Sequence, residues 1–230
     1  QVQPLFCSEL FRRYRKKGGG PHLIWWGAGM LTFGLGTLTE ALTTLFGWQP
    51  VVFRLWYVVG AFLGGYPLAQ GSIYLLMSRR FADWSARIVV SVIAVSAVLV
   101  FITPLDVSLA EPHRLSGRVF EWQWVRLISP FLNLYAVVFL VGGAGWSAWK
   151  YRKRGEGSRS RAFGNALIAI GALLPGIGGG FARAGLVEVL YVGELIGLTL
   201  IWAGYRAIVA DTTSSSIHSI QRSLAQRTTA

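Results

Sequence analysis

Long apolar stretches alternate with short polar or basic segments along most of this chain of 230 residues. Six of the stretches are long enough for an α-helix that crosses the hydrocarbon layer of a membrane, which takes about 20 residues. The pattern therefore predicts transmembrane helices at 23–46, 51–77, 87–105, 123–149, 162–184 and 187–209. The predicted fold is an all-α integral membrane helical bundle that covers residues 23–209.

The connections between these helices are short, with one exception. Gly47 to Pro50 leave room only for a tight hairpin, so the first two helices are predicted to be neighbours. Residues 106–122 form a longer connection, in which Pro112 and Gly117 argue against a continuous helix, and we expect a short lid there. Residues 210–230 are rich in Ser, Thr, Gln and Arg and are expected to form a polar, disordered tail.

Residues 1–22 are predicted to be a separate N-terminal segment, because an apolar start is followed by a basic cluster at 12–17. Two interpretations remain open. The segment is either an amphipathic helix that lies on the headgroups or the cytoplasmic end of a truncated transmembrane helix. In the second case the complete protein has seven transmembrane helices.

Composition supports the membrane assignment. Hydrophobic residues make up 53% of the chain and charged residues only 14%, whereas a soluble domain carries roughly 25% charged residues. The formal net charge is +12, but the basic residues flank apolar stretches in short clusters. This placement favours anionic lipid headgroups as partners and argues against nucleic acid.

The basic residues also predict an orientation. Of the 22 Lys and Arg residues, 17 lie in segments on one side of a six-helix arrangement and five lie on the other. Lys and Arg are concentrated in cytoplasmic loops, so both visible termini are predicted to be cytoplasmic. The predicted location is the inner (plasma) membrane, crossed several times, with residues 106–122 external.

Glycine spacing predicts close contacts between helices. Gly60 with Gly64, and Gly193 with Gly197, place two small residues on one helix face, which allows backbones to approach. Pro175 is followed by four glycines within five residues, and this cluster has two interpretations. It predicts either a broken helix that faces a cavity or an early helix end followed by a loop.

Ionisable residues inside the predicted spans carry most of the functional information, because a charge in the bilayer is costly unless it is paired or functional. Glu40 and Arg54 lie at compatible depths on adjoining helices, which predicts an ion pair. Glu194 lies at a similar depth in the sixth helix, with Glu188 and Tyr191 on nearly the same face.

Two interpretations of this outer cluster compete. In one, Glu40 with Arg54, and Glu194 with Arg126 or Arg183, are structural salt bridges. In the other, the same groups line an outward-facing polar cavity, to which tyrosine and asparagine side chains add polar contacts. The candidate ligand-binding residues are Glu40, Arg54, Tyr57, Asn133, Glu188, Tyr191 and Glu194.

Several enzyme classes lack their residues in this sequence. The three histidines, His22, His113 and His218, lie at a helix end, in a loop and in the tail, so no serine has a histidine base within a span. The same positions exclude paired haem ligands, and neither HExxH nor a phosphate-binding GxxxxGK[ST] occurs. The single cysteine, Cys7, excludes an intramolecular disulfide framework. We therefore predict no catalytic and no metal-binding residues, and the sequence does not identify a cofactor.

Several motifs carry a resemblance to known proteins. They are Arg54-Leu55-Trp56-Tyr57 with Gly60, Gly71 to Leu76 with Arg79-Arg80, Gly164 to Pro175, and Gly193 to Gly197. Together they resemble uncharacterised bacterial polytopic membrane proteins with six to seven predicted helices and no known function. The resemblance implies a helical bundle in a bacterial inner membrane and favours the truncated-helix interpretation of residues 1–22.

The sequence thus predicts a non-enzymatic membrane protein that binds a small molecule, a lipid or an ion in an outward-facing polar cavity, as a transporter or a sensor. The alternative is an accessory or scaffold subunit of a larger membrane complex, which binds partner helices or cofactors through its glycine and aromatic faces. Either function allows contacts with other membrane proteins or with further copies of the chain.

Overall fold

The computed structural model describes residues 20–153, 159–183 and 192–210, together with Arg12 and Val189, and at 176 and 179–183 it describes the backbone alone. The predictions for the segment up to residue 19, and for the tail from residue 211, otherwise lie outside the described residues. Within the described ranges the chain is helical and contains no strand, apart from isolated bridges that join Leu105 to Phe120 and Glu111 to Arg114.

Eight α-helices are numbered here in chain order. They are α1 (Pro21–Phe46), α2 (Pro50–Trp56), α3 (Tyr66–Leu76), α4 (Arg79–Ile102), α5 (Ile128–Ala136), α6 (Gly143–Arg152), α7 (Arg159–Arg183) and α8 (Val192–Ala210). A π-helical segment, Tyr57–Phe62, continues α2, and another, Val137–Gly142, joins α5 to α6. Three short 3₁₀ turns lie between α4 and α5.

Six long helical stretches are present, and four of them are long and apolar enough to cross a membrane. The four are Pro50–Leu76, Arg79–Ile102, Gln123–Arg152 and Val192–Ala210. Neither α1 nor α7 is among the four found in the described part of the chain. In α1 the length suffices, but Glu40 and five threonines lower its apolarity. By length and apolarity, four of the six predicted spans are therefore candidates to cross a membrane.

Helix α4 begins at Arg79, whereas the sequence pattern placed the start of this span at residue 87. Ser78 is its N-cap, because the Ser78 hydroxyl accepts a hydrogen bond from the N–H of Phe81 at 3.4 Å. Serine is favoured at this position since it satisfies an N–H that has no partner within the helix. The basic residues from Arg79 to Arg87 therefore belong to the helix and not to a loop.

The chain divides into two compact units, one that ends at Leu140 and one that begins at Val141. The first unit contains α1 to α5 and the segment between α4 and α5. The second contains α6, α7 and α8. Each unit is described by itself.

In the first unit, α1 lies antiparallel to the stretch Pro50–Leu76. Near one end of the contact, a Cβ added at Gly36 would lie 3.3 Å from the Cα of Gly60. Near the other end, a Cβ added at Gly29 would lie 2.6 Å from a side-chain carbon of Leu68. The predicted hairpin of neighbouring helices and the packing role of Gly60 are thus confirmed.

The stretch Pro50–Leu76 is interrupted at its midpoint, between Leu63 and Gly65. In a continuous helix the carbonyl of Leu63 would accept a hydrogen bond from residue 67, but Pro67 has no N–H to donate. The hydroxyl of Thr32 on α1 lies 3.1 Å from this carbonyl and 3.2 Å from the carbonyl of Gly29 on its own helix, and its single proton is shared between the two. Helix α1 therefore supplies the hydrogen bond that the proline removes.

Gly64 has a different role from the one predicted. Its N–H donates to the carbonyl of Gly60 at 3.1 Å, and a Cβ at Gly64 would clash with that same carbonyl. Glycine, which has no Cβ, is therefore required at position 64 by the local turn. The neighbouring helix does not impose this requirement.

An aromatic cluster fills the core beside α2. Phe53, Tyr57 and Phe62 are buried, and Phe120 joins them with its ring centroid 4.9 Å from Phe53 and 4.7 Å from Tyr57. Phe120 belongs to the segment between α4 and α5 that was expected to form a short lid. This segment packs into the core of the first unit with its own buried aromatic residue.

In the second unit, α7 and α8 pack antiparallel through glycines. A Cβ added at Gly197 would lie 2.5 Å from the carbonyl oxygen of Gly171, and a Cβ at Gly164 would lie 2.6 Å from that of Gly204. A Cβ at Gly193 would lie 3.1 Å from the carbonyl oxygen of Leu174. The predicted packing role of Gly193 and Gly197 is confirmed.

Neither predicted effect of Pro175 occurs. Helix α7 continues through Pro175 to Arg183, so the helix is not broken there and does not end early. Within a helix, proline removes the hydrogen bond to the carbonyl four residues earlier, here that of Gly171. This carbonyl lies against Gly197 of α8. Among the described residues, the long stretch that is interrupted is Pro50–Leu76, at Leu63–Gly65.

Candidate functional site

Glu40 lies within α1, at the level of Trp56 on α2. Its Oε1 accepts a hydrogen bond from the indole Nε1 of Trp56 at 2.8 Å. Its main-chain carbonyl accepts a second bond, from the hydroxyl of Thr44 at 2.9 Å. The carboxyl group is therefore held by one neutral donor from the facing helix.

The other carboxyl oxygen, Oε2 of Glu40, is buried and has no hydrogen-bond partner. The ion pairs found among the described residues are Arg79 with Asp83 and Arg114 with Glu111, and neither includes Glu40. Burying an ionised carboxylate without a partner carries a large cost in free energy. The geometry thus leaves Glu40 able to bind a proton or a cation.

Arg54, the predicted ion-pair partner, contacts a different helix. Its guanidinium donates to the carbonyl oxygens of Phe101 at 2.6 Å and Thr103 at 2.9 Å, and also to that of Val100. The last carbonyls of a helix have no intrahelical donor and carry partial negative charge, so they attract a cation. The predicted pair of Glu40 with Arg54 is therefore wrong.

The reason lies in the angle between neighbouring side chains on α2. Positions 54 and 56 are two residues apart, which corresponds to about 200° around a helix axis. Trp56 consequently faces α1 while Arg54 faces α4. Equal depth in the bilayer, on which the prediction rested, says nothing about this angle.

Two glycines bring α1 and α2 together one turn from the carboxyl group. Gly36 lies four residues before Glu40, and Gly60 lies four residues after Trp56. A Cβ at Gly60 would lie 3.4 Å from both Cδ1 and Nε1 of Trp56, so the indole covers this glycine. The π-helical segment Tyr57–Phe62 begins directly after Trp56, and such segments are frequent at functional sites.

Aromatic rings extend from this hydrogen bond toward the hairpin turn. The ring of Phe53 lies 6.1 Å from Trp56 and 5.7 Å from Trp48, between centroids. The Nε1 of Trp48 is also buried without a partner. In the described part of the first unit, the unsatisfied buried side-chain atoms are therefore an acceptor on Glu40 and a donor on Trp48.

Tyr57 and Asn133 were predicted to add polar contacts to the site. Tyr57 is buried in the aromatic cluster with Phe53 and Phe120. Asn133 is exposed on α5. Within the described residues, neither side chain forms a hydrogen bond with Glu40.

The remaining predicted site residues come from the C-terminal part of the chain. Glu194 lies on α8 in the second unit and is partly buried. Glu188 and Tyr191 lie outside the described residues. A shared cavity that includes these three residues stays a prediction.

A second polar cluster, which the sequence analysis did not predict as a site, lies between α3, α4 and α5. Gln70 is fully buried, and its Nε2 donates to the carbonyl of Ala82 at 2.9 Å and to the hydroxyl of Ser85 at 3.3 Å. The Gln70 Oε1 accepts a bond from the hydroxyl of Tyr135 at 2.6 Å. Because both ends of the amide are satisfied, this cluster is a cross-link between helices. The sequence signal was a glutamine in an apolar stretch, but its partners on two other helices could not be identified from the sequence.

Comparisons of the chain with protein-family models, curated proteins and solved structures found no match. The contacts described above, with the carboxyl group of Glu40 at their centre, are therefore the basis for a proposed function.

Proposed function

We propose that this chain is a non-enzymatic integral membrane protein that binds a small positively charged molecule or ion at Glu40, as a transporter or a sensor. The observation that carries the proposal is the buried carboxyl group, which is bonded to the neutral donor Trp56 and to no cation. Ionisable groups inside membranes are usually either paired or functional. Because Arg54 is bonded to α4, a functional carboxyl is the better supported alternative.

The surface of α4 supports a location in the membrane. Its exposed side chains from Ile88 to Ile102 are largely apolar, and Arg79 and Arg80 are exposed at one end. Large exposed apolar surfaces of this kind mark contacts with lipid or with other proteins. If the side rich in Lys and Arg is cytoplasmic, the α1–α2 hairpin faces the exterior and Glu40 lies near the outer surface.

The interruption at Leu63–Gly65 supports a transporter in which one half of the second span moves relative to the other. Transporters commonly bind their substrates beside discontinuous helices near the midplane of the membrane. Here the interruption lies at the midpoint of Pro50–Leu76, and the carbonyl of Leu63 is bonded to the hydroxyl of Thr32. A change of geometry at this point would move α2, and with it Trp56, relative to Glu40.

Melting temperatures of the purified chain in lipid nanodiscs test the proposal. The probes are sodium, potassium and methylammonium chlorides at constant ionic strength, with N-methylglucamine as the balancing cation. A ligand that binds the folded state raises its stability. We expect at least one probe to raise the melting temperature of the wild type, and we expect Glu40→Gln to abolish this rise.

The matched control is Glu121→Gln, which neutralises an exposed carboxyl in the segment before α5. We expect this variant to keep the response of the wild type. The proposal fails if no probe stabilises the wild type, or if Glu40→Gln responds as strongly as Glu121→Gln does.

The alternative function, an accessory subunit of a membrane complex, is favoured by the exposed face of α5. This face carries Phe131 and Leu134 and continues to Val138 in the π-helical segment that follows, and Asn133 is exposed next to Leu134. An amide exposed to lipid lacks a hydrogen-bond partner, whereas an amide at a contact between helices finds one. Affinity purification from native membranes should then yield a stoichiometric partner chain that Asn133→Leu loses. Purification of the wild type without such a chain would exclude this alternative.

A further inference from the structure

The carboxyl oxygen of Glu40 that has no hydrogen-bond partner, Oε2, is enclosed by the protein. Oε2 is buried and unbonded, while Oε1 is occupied by the indole of Trp56. A hydrated cation or an ammonium group at Oε2 needs space and further oxygen ligands, so it requires the helices to separate. A proton needs neither. The smallest positive charge that fits the position as it stands is therefore a proton.

We infer that Glu40 carries a proton on Oε2 in the state described here, and that the cationic ligand of the proposed function displaces it. In this exchange the O–H bond of the carboxyl group breaks and the proton leaves to the aqueous phase. The carboxylate that remains pairs with one monovalent cation. The charge of the site is unchanged by the exchange, and this inference rests on the proposed function.

The hydrogen bonds agree with the neutral acid. In a protonated carboxyl group one oxygen is a carbonyl and accepts, which fits Oε1 beneath the N–H of Trp56. The other oxygen carries the proton, which fits the unbonded Oε2. A hydroxyl without an acceptor is far less costly in apolar surroundings than an unpaired charge.

The charged and titratable groups on the elements packed against Glu40 leave this assignment intact. Arg54 on α2 is bonded to the carboxyl end of α4, and Tyr57, in the π-helical segment that follows α2, is buried in the aromatic cluster. His22 lies at the opposite end of α1. His113, from the segment between α4 and α5, has its Nδ1 3.1 Å from a carbonyl in the last turn of α1. In the described part of the chain, none of these groups is hydrogen-bonded to the Glu40 carboxyl.

Infrared difference spectroscopy tests the assignment. Spectra of the wild type and of Glu40→Gln are recorded in nanodiscs at neutral pH, without added probe cation. We expect the wild type to show the carbonyl stretch of a protonated carboxylic acid, sensitive to exchange into D₂O and lost in the variant. A difference confined to the two stretches of an ionised carboxylate would overturn the inference.

Trp56→Phe provides a second test that keeps the carboxyl group and serves if Glu40→Gln does not fold. Removal of the indole N–H frees the acid carbonyl from its hydrogen bond, so we expect the band to move to higher frequency. A band that stays in place would show that the acid is not Glu40.

The exchange step is measured separately with methylammonium chloride in weakly buffered solution that contains a pH indicator. We expect release of about one proton per cation bound by the wild type, and no release by Glu40→Gln. Stabilisation by methylammonium without an acid band would overturn the protonation and leave the proposed function standing. An acid band in a chain that no probe stabilises would overturn the proposed function and the exchange.

Discussion

The glycine contact between α7 and α8 predicts that an alanine lowers the stability of the chain at Gly197, within the contact, and raises it at Gly145, outside the contact. Gly197→Ala would place a Cβ 2.5 Å from the carbonyl oxygen of Gly171 and 3.2 Å from Cδ of Pro175. Ordinary van der Waals contact starts at 3.4 Å, so the helices would have to separate by about 0.9 Å at the first of these atoms. Overpacking of this kind costs typically about 1–3 kcal/mol. Alanine regains about 0.5–1 kcal/mol of helix propensity, which leaves a net destabilisation of about 0–2.5 kcal/mol.

Gly145→Ala is the matched control, because it makes the same chemical change in the same unit. A Cβ at Gly145 of α6 meets nothing within 4 Å. Only the propensity term remains, so we expect this variant to be more stable than the wild type by about 0.5–1 kcal/mol. The measurement is reversible unfolding from detergent micelles by sodium dodecyl sulfate, followed by far-ultraviolet circular dichroism.

The reverse substitution tests whether the two glycines share one contact. A Cβ at Gly171 would lie 2.5 Å from the carbonyl oxygen of Gly197, so Gly171→Ala should be destabilising as well. Once one alanine has separated the helices, the second meets less resistance, and the double variant should lose less stability than the sum of the two singles. Equal stability of Gly197→Ala and Gly145→Ala would refute the close approach of the two backbones.

Three further predictions concern the first unit. Thr32→Val removes the hydroxyl that donates to the carbonyl of Leu63, at the interruption of the second span, and should lower the free energy of unfolding by about 0.5–1.5 kcal/mol in the same assay. Thr32→Ser keeps a hydroxyl and should lower it less. Equal losses in the two variants would show that the hydroxyl is unimportant. Arg54→Gln loses charge-assisted hydrogen bonds to the end of α4 and should lower the free energy of unfolding by about 1.5–3 kcal/mol. Its effect should add to that of Glu40→Gln within about 0.5 kcal/mol, because the two side chains do not contact each other. Coupling between them in a double-mutant cycle would show that they form an ion pair after all. In a Cys7→Ser background, a cysteine at Glu121 should react with a membrane-impermeant maleimide in intact cells and a cysteine at Arg80 should not, whereas the opposite pattern would invert the topology.

The elements that local sequence determines were predictable. The hairpin turn followed from Gly47 to Pro50; α1 ends at Phe46 as expected, and α2 begins at Pro50, one residue before its predicted start. The contact of Gly197 followed from its spacing to another small residue. The interruption of the second span also had a signal, since two glycines precede Pro67, but the glycine cluster after Pro175 is larger and was the stronger signal.

The partners of polar side chains were not predictable in the same way. Depth along a helix follows from residue number, so Trp56 and Arg54 were both at the level of Glu40. Which of them faces α1 depends on how α2 is rotated, and that is set by the contact of Gly36 with Gly60. Long-range packing therefore decided the composition of the candidate site.

The π-helical segment Tyr57–Phe62 has a consequence for how this chain tolerates insertions and deletions. Such a segment contains one residue more than an α-helix of the same number of turns, so deleting a residue there would restore regular α-helix. Because the number of turns is the same in both forms, the residues before and after the segment would keep their relative orientation, with Trp56 toward Glu40 and Leu68 toward Gly29. Deleting a residue from the regular α-helix before it would instead rotate the residues on one side of the deletion by about 100° relative to those on the other. The π-helical segment is thus the place in this span where a change of one residue in length is absorbed locally, and we expect a single deletion to be tolerated better there than in α2 or α3.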